Sequence, residues 1–514
     1  MYWVRRATIS VVILLLISFA AWAVPRALDP TDRSAEKRAR DKLWVNSSPY
    51  FWDRQACRWM GLCGLHHLRK DPASRGDHDD DDDTIGGELR RRSPVWEEDV
   101  PKRNVNAKRN VQDRRRILKD VPQYVMQYAP LVHLYSDEEF WPSDIKDHVD
   151  HMTVWIDGEP LNSTETWTLN NLHLLNKFED STVILVSNDD VEQRPDWLHS
   201  HRNIPNDFEL ENPEDGGQKA AEGHDESSPL DKESTTWYDV DKNHPIHRIA
   251  DPRRYGRAGI EANRRRRLAP RGHKPDADGY SNAPAVLVLV DKGSGIMDAF
   301  WFFFYSYNLG QTVLGVRFGN HVGDWEHCMV RFQDGVPKGI YFSEHEGGQA
   351  YAWNAVQKSS TGRPVIYSAV GSHAMYPLPA KHPYVLPFNL LKDITDEGPL
   401  WDPSLNNYAY HYDYTIEHDV DLEDDDDDKE DRQPHSLVPA SKNPNAPTSW
   451  FHFRGRWGDE VYSLADPRQW RLFGQYHYVT GPIGPKFKSL YRSKLCQAKK
   501  CKIAYELDPS RTWY

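Results

Sequence analysis

Past residue 120 the chain reads as short apolar runs cut by Gly, Pro, Asp and Asn, a pattern that predicts strands in place of long helices. Val286 to Val290 and Ala299 to Tyr307 are two such runs. The segment Phe300-Trp301-Phe302-Phe303-Phe304-Tyr305 is aromatic at every position, so whatever sheet holds it needs cover on both faces. Tyr124 to Tyr135 is also apolar and β-prone, and only 144–152 shows helical spacing, with Ile145, His148, Val149 and Met152 on one side. Seven or more strands joined by tight turns predict a mainly β fold, a two-sheet β-sandwich with few short helices.

The periodicity fails in three places, and those failures set the domain boundaries. Residues 64–119 carry Asp, Arg, Gly and Ser without a hydrophobic repeat, so 26–119 reads as a largely disordered linker around a Cys57/Cys63 segment, and the β domain runs over 120–514. Two insertions, at about 188–282 and 416–447, interrupt that domain without enough amphipathic pattern to build a core of their own. The first holds a tetrabasic run, Arg264 to Arg267, which suits a processing protease or a solvated linker alike.

Composition sharpens this division. Charged residues reach 27%, yet the chain holds 19 Trp and 25 Tyr, so aromatic-rich folded parts alternate with polar insertions. The net charge of −13 comes in blocks: 417–431 carries eleven acids and one Lys, and 101–119 carries eight Lys or Arg. Blocks of one sign are solvated and self-repelling, and the basic segments lack the aromatic interleaving of an RNA reader, so nucleic acid is not an expected partner.

The uncharged stretch Ala7 to Val24, behind Arg5 and Arg6, changes the expected location. As a helix its 18 residues would span roughly 27 Å, just short of a bilayer core of about 30 Å. Residues 1–25 therefore read as an N-terminal signal-anchor helix that ties the chain to a membrane of the secretory or vacuolar system with the domain in the lumen. The alternative is a signal peptide cleaved after Ala23, which would make the protein secreted. Local disulfides Cys57–Cys63 and Cys496–Cys501 suit that compartment and leave Cys328 as a small buried hydrophobe. The sequons at Asn46 and Asn162 would be glycosylated there.

Candidate chemistry concentrates in Gly319-Asn320-His321-Val322-Gly323-Asp324-Trp325-Glu326-His327, which starts as a turn and ends as a strand. Alternation puts Asp324 and Glu326 on one face, roughly 7 Å apart, and Trp325 and His327 on the other. Two later strands each deliver a His into a Gly-containing turn: Gly339 to Phe342 leads to Ser343-Glu344-His345-Glu346-Gly347-Gly348, and Val365 to Val370 leads to Gly371-Ser372-His373-Ala374. The expectation is that the three corners converge.

Taken together, Gly-Asp-Trp-Glu-His at 323–327, Ser-x-His-x-Gly-Gly at 343–348 and Gly-Ser-His-Ala at 371–374 resemble the vacuolar protein sorting-associated protein 62 family. The opening Tyr-Ala-Pro-Leu-Val-His-Leu at 128–134 and the closing Phe453-Arg454-Gly455-Arg456-Trp457-Gly458 are similar to it as well, so the likeness covers about 120–190, 280–415 and 448–514. The resemblance implies a role in protein transport to the vacuole, with protein cargo or sorting machinery as partners. It brings no catalytic mechanism with it.

Three chemical readings of the cluster stand beside that likeness. A divalent metal held by His321, Asp324, Glu326, His327, His345 and His373, or some of them, would make a metal-dependent hydrolase in which Asp324, Glu326 and His327 are the catalytic candidates. No cofactor is otherwise expected, and no His-Glu-x-x-His spacing is present. The second reading is a buried hydrogen-bond network that fixes the turns, and the third is recognition of a glycan or lipid headgroup. A serine-hydrolase arrangement at Ser372 and His373 lacks the Gly-x-Ser-x-Gly elbow, and a two-carboxylate glycosidase needs a separation that the sequence does not fix.

Overall fold

The structure, a computed structural model, describes residues 11–13, 15–19, 35–70, 119–179, 181–200, 273–344, 347–383, 392–416, 436–472, 474–498 and 501–507. Helices are few and short: α1 (Ala35–Asn46), α2 (Phe51–Met60), α3 (Gln123–Gln127) and α4 (Ile145–Asp150). The strands that matter for the site are β1 (Leu131–His133), β2 (Met152–Ile156), β3 (Val183–Ser187), β4 (Ala285–Gly293), β5 (Ile296–Asn308), β6 (His321–Gln333) and β7 (Val336–Glu344). They continue as β8 (Gly347–Ala352), β9 (Val365–Ser368), β10 (Met375–Tyr376), β11 (Leu400–Trp401), β12 (Asn407–Tyr412), β13 (Leu437–Pro439) and β14 (Ile503–Ala504).

Among the described residues the strands form six sheets, not two, and one of them dominates. Its order is β13-β12-β4-β5-β6-β7-β8-β14, with β4 to β8 a continuous antiparallel meander. A four-stranded sheet, β10-β9-β1-β11, stands apart from it, as does a three-stranded sheet of Glu159–Pro160, β2 and β3. The mainly β character expected from the turns is therefore present.

The aromatic run on β5 needs cover on both sides, and it has it. Phe300, Phe302 and Phe304 join Trp325 and Met329 on a first face, packed against Ile145, Leu172, Leu185, Trp450, Trp457 and Leu490. Trp301, Phe303 and Tyr305 join Cys328 and Val330 on the second face, packed against Val132, Trp141, Ile366, Met375 and Trp401. Each buried aromatic or aliphatic side chain of this kind is worth about 1.5–3 kcal/mol relative to exposure. Burial also raises the thiol pKa of Cys328, which is free.

A charged group is set into the first face where β5 crosses β6. Asp298 is fully buried and receives both Nε and Nη2 of its cross-strand partner Arg331, at 2.7 and 2.8 Å. Lys292 Nζ lies 3.9 Å from the same carboxylate, and burial pushes that amine down to about 8 despite Asp298. The two cations then reach over the sheet, Lys292 to the carbonyl of Leu490 and Arg331 to those of Arg492 and Ser493, so the C-terminal segment is fastened by its backbone.

Several expected boundaries move. Residues 188–200 belong to the packed body, since Val191, Trp197 and Leu198 share a cluster with Phe140, Tyr307 and Tyr478. Part of the expected linker is likewise ordered: α1 and α2 pack on 462–476 through Trp44 Nε1 to the carbonyl of Tyr462 and through Leu464 beside Cys57 and Cys63. Both predicted disulfides, Cys57–Cys63 and Cys496–Cys501, are formed. Asn46 and Asn162 are both exposed.

Among the described residues no helix is long and apolar enough to cross a membrane. Residues 11–13 and 15–19 are helical, and the rest of the Ala7 to Val24 stretch lies outside the described residues, as do Arg264 to Arg267.

Removing one partner of a buried ion pair costs about 3–5 kcal/mol. Asp298→Ala leaves two cations on the first face without their shared carboxylate, and should lower the unfolding free energy read from urea titration by that amount, with a lower midpoint at unchanged slope. A midpoint equal to wild type would show that the cluster does not hold the C-terminal cover.

Candidate functional site

Alternation along β6 separates the candidate residues. Asp324 and Glu326 pair across to Tyr305 and Phe303 on the second face, whereas Trp325 and His327 pair to Phe304 and Phe302 on the first. His327 thus lies on the other side of the sheet from His373 and the two carboxylates. Its ring sits among Phe302, Tyr341 and Phe300 at 5.1, 5.5 and 6.3 Å, and burial together with Arg492 and Lys488 holds its pKa well below the ordinary value. A neutral imidazole among aromatic rings is a packing group.

On the second face the corner at 371–374 does meet β6. Gly371 and His373 adopt positive φ, which turns the chain sharply after β9 and drives the His373 ring inward onto Tyr305, the two stacked at 3.6 Å. Nδ1 donates to Asp324 Oδ2 at 3.0 Å and Nε2 to the carbonyl of Phe140 at 3.2 Å, with Glu138 Oε1 3.6 Å away. Burial alone would depress this imidazole, but Glu138 and the hydrogen-bonded Asp324 outweigh it and hold the pKa up to about 9. His373 is therefore an imidazolium at neutral pH, with both nitrogens used as donors.

Glu138 completes the arrangement, and nothing in the sequence separated it from the acidic turn that contains it. It accepts from the amides of Glu139, Phe140 and Gly371, so it ties the turn after β1 to the turn after β9. Glu326 accepts from Ser343 Oγ, and that same oxygen accepts from the amide of His327 at 2.8 Å. Ser372 donates to Asp393 at 2.7 Å, not to His373, and Tyr376 and Gln311 hold Asp393 as well. The Ser372–His373 pair is consequently no nucleophile and base. Asp393 was another omission of the sequence reading, one buried carboxylate in an otherwise unremarkable Lys-Asp-Ile.

The first corner is fixed by contact between backbones. Gly323 has φ +69°, and a Cβ there would lie 2.0 Å from the carbonyl oxygen of Trp457; a Cβ on Gly458 would lie 1.8 Å from that of Val322. Glycine at both positions lets the closing segment seat directly on β6. Trp457 and Trp450 then enclose Trp325, at 5.4 and 5.8 Å, and His148 on α4 donates Nε2–H to the carbonyl of Trp457 at 3.1 Å. His321 turns back to the carbonyl of Gly323 at 2.7 Å.

His345 lies outside the described residues. Among the described residues, no group of three or more His, Cys, Asp or Glu is placed to hold a metal ion. His321 bonds to backbone, His327 faces away and an imidazolium has no lone pair to give, so these residues do not fit a shared metal. What the geometry provides is a cross-tie: Asp324, His373 and Glu138 join three separate parts of the chain in a dry interior, where such bonds specify one arrangement of the turns.

The family profile described as vacuolar protein sorting-associated protein 62 matches residues 293–384, which include β6, β9 and the His373 corner. TDA6 of Saccharomyces cerevisiae, provisionally designated a vacuolar protein sorting-associated protein, is 34% identical over 415 residues, covering 74% of this chain and 69% of its own. Vacuolar protein sorting-associated protein 62 of the same yeast is 32% identical over 423 residues, covering 77% and 71%. Among solved structures, Necrosis and Ethylene inducing Protein 2 from the causal agent of cocoa's Witches Broom disease is 19% identical, covering 21% of this chain and 50% of its own at a TM-score of 0.16. That last overlap is too small to bear on fold or function.

A folded-state pKa raised above the unfolded value of 6.5 means that protonation favours the fold. The contribution of His373 should be complete below about pH 6.5 and fade as pH rises through about 9, some 3 kcal/mol in all at about 1.4 kcal/mol per unit. Urea titrations of wild type from about pH 6 to about pH 10 should follow that decline. His373→Gln should be less stable at the acidic end and lose the slope; an unchanged slope would remove His373 as its source.

Proposed function

Because the chain belongs to the vacuolar protein sorting-associated protein 62 family, we propose that it is a protein-transport factor of the secretory and vacuolar system that acts by binding in the lumen. The observation that carries this reading is the breadth of the likeness: two relatives named for vacuolar protein sorting match it at 34% and 32% identity over more than 400 residues each. The likeness takes in the polar corner as well as the scaffold beneath it.

The chemistry of the corner favours binding over catalysis. Asp324, His373 and Glu138 are committed to one another or to neighbouring backbone and Ser372 to Asp393, with none presented to a substrate as nucleophile or base. We read the eight- and four-stranded sheets, which share the packed cluster of Trp301, Val330, Ile366 and Met375, as the leaves of a sandwich-like scaffold that displays a docking surface to protein cargo or sorting machinery. Two formed disulfides suit an oxidising lumen. The apolar stretch Ala7 to Val24 would serve as the anchor that keeps the domain there.

The test is replacement. In yeast lacking both relatives, and showing a sorting defect as a result, the full chain should restore retention of a soluble vacuolar hydrolase and fractionate with membranes. Hydrolase secretion unchanged from the empty vector would overturn the sorting assignment.

A further inference from the structure

The N-terminal unit presents an aromatic face that the folded body leaves uncovered. On α2, Asp53 and Cys57 point inward: Asp53 accepts from the amide of Gly64 at 2.7 Å, and Cys57 is bridged to Cys63. At 100° per residue the opposite side of the helix collects Phe51, Trp52, Gln55 and Trp59. Trp52 is 80% and Trp59 72% exposed, with Tyr50 and Phe51 also exposed beside them. Trp44 on α1, by contrast, is packed against Tyr476 and the Arg471 guanidinium. Burying a side chain as large as Trp gains at least about 2 kcal/mol, so two tryptophans held outward on one disulfide-braced helix mark a surface made for contact.

Three observations identify what it contacts. The helical residues 11–13 and 15–17 expose Val11, Val12, Ile13, Leu15, Leu16 and Ile17, so this apolar segment does not spend its side chains on the protein core. Ten residues join Val24 to α1, so α1 begins within roughly 35 Å of the end of that segment, and only four residues separate α1 from α2. The intervening unit is basic within an acidic chain: residues 35–70 hold eight Lys or Arg and three acids, and Arg58, exposed beside the aromatic face, is held there by Asn46. Indole rings with cations at their edge match the boundary of a phospholipid bilayer, where the ring lies at headgroup depth and the cation meets phosphate.

We propose that the outward face of α2, built on Trp52, Trp59 and Phe51, lies in the interface of the membrane that holds the N-terminal segment and fixes the orientation of the β domain above it. The inference rests on the anchored reading given above and adds a second, distinct membrane contact. The Cys57–Cys63 bridge and the Asp53 bond to Gly64 hold the helix rigid, so the two tryptophans enter the interface together.

The experiment uses the full chain reconstituted into phosphatidylcholine vesicles, plain or brominated on the acyl chains near the headgroup, with wild type and Trp52→Gln/Trp59→Gln compared. Both side chains are exposed, so the double variant should keep the wild-type melting temperature. Subtracting the variant isolates the emission of the two α2 tryptophans, which should fall by about twofold or more in brominated vesicles if they sit at the interface. An equal difference spectrum in plain and brominated vesicles overturns the proposal. So does a wild-type dimer that the double substitution dissolves, since the patch would then be a contact between copies. Should a high-salt wash release the chain, the anchored reading fails by itself; the α2 contact then stands only if wild type rebinds vesicles and the double variant does not.

Discussion

Backbone lies directly on backbone where Val322 and Gly323 meet Trp457 and Gly458, and most of the fold is arranged around that crossing. No side chain larger than hydrogen fits at either glycine, so the closing segment descends far enough to press Trp457 and Trp450 around Trp325. From there the consequences run outward. Trp325 roofs Phe302 and Phe304, those rings order the first face of the main sheet, and the carbonyl of Trp457 takes the His148 donor that seats α4. Asp324, at hydrogen-bonding distance from His373, sits on the same strand that this crossing pins from the far side.

Each face of the sheet also holds one buried charge cluster, and the two do different work. On the second face a single imidazolium sits between two carboxylates and joins turns. On the first, cations surround one carboxylate, and their remaining hydrogens fasten the chain between Leu490 and Ser493. Ionic groups in a dry interior gain little net stability, because desolvation offsets the attraction. They are strict about geometry, however, and here they fix where loops cross a sheet whose hydrophobic contacts alone would tolerate sliding.

Much of the scaffold was legible in the sequence, through local signals. Alternation put Asp324 and Glu326 opposite Trp325 and His327, and the unbroken aromatic run on β5 required two covered faces; both hold. Cysteine spacing gave the two disulfides. What alternation along one strand cannot supply is which strand lies beside it. Thus the His373 corner does meet Asp324, whereas His327 lies on the other face, and Glu138 in a turn and Asp393 in a short strand carry no signal of their own until their partners are in place. The stretch 188–200 misled for a related reason: Val191, Trp197 and Leu198 are too sparse to show a period, yet each fills a gap left by distant residues.

The cover of the first face is assembled from opposite ends of the sequence. Leu172 and Leu185 come well before β4, and Trp450, Trp457 and Leu490 well after β8; His148 and Trp457 are 309 positions apart. Contacts of such long range make for slow folding, since loop closure must precede any reward. A nascent chain that has emerged only as far as β8 would hold a finished aromatic meander with half its cover still on the ribosome. Until the last tryptophans emerge, Phe300, Phe302 and Phe304 lack that cover, so the meander is the part of the growing chain most open to aggregation.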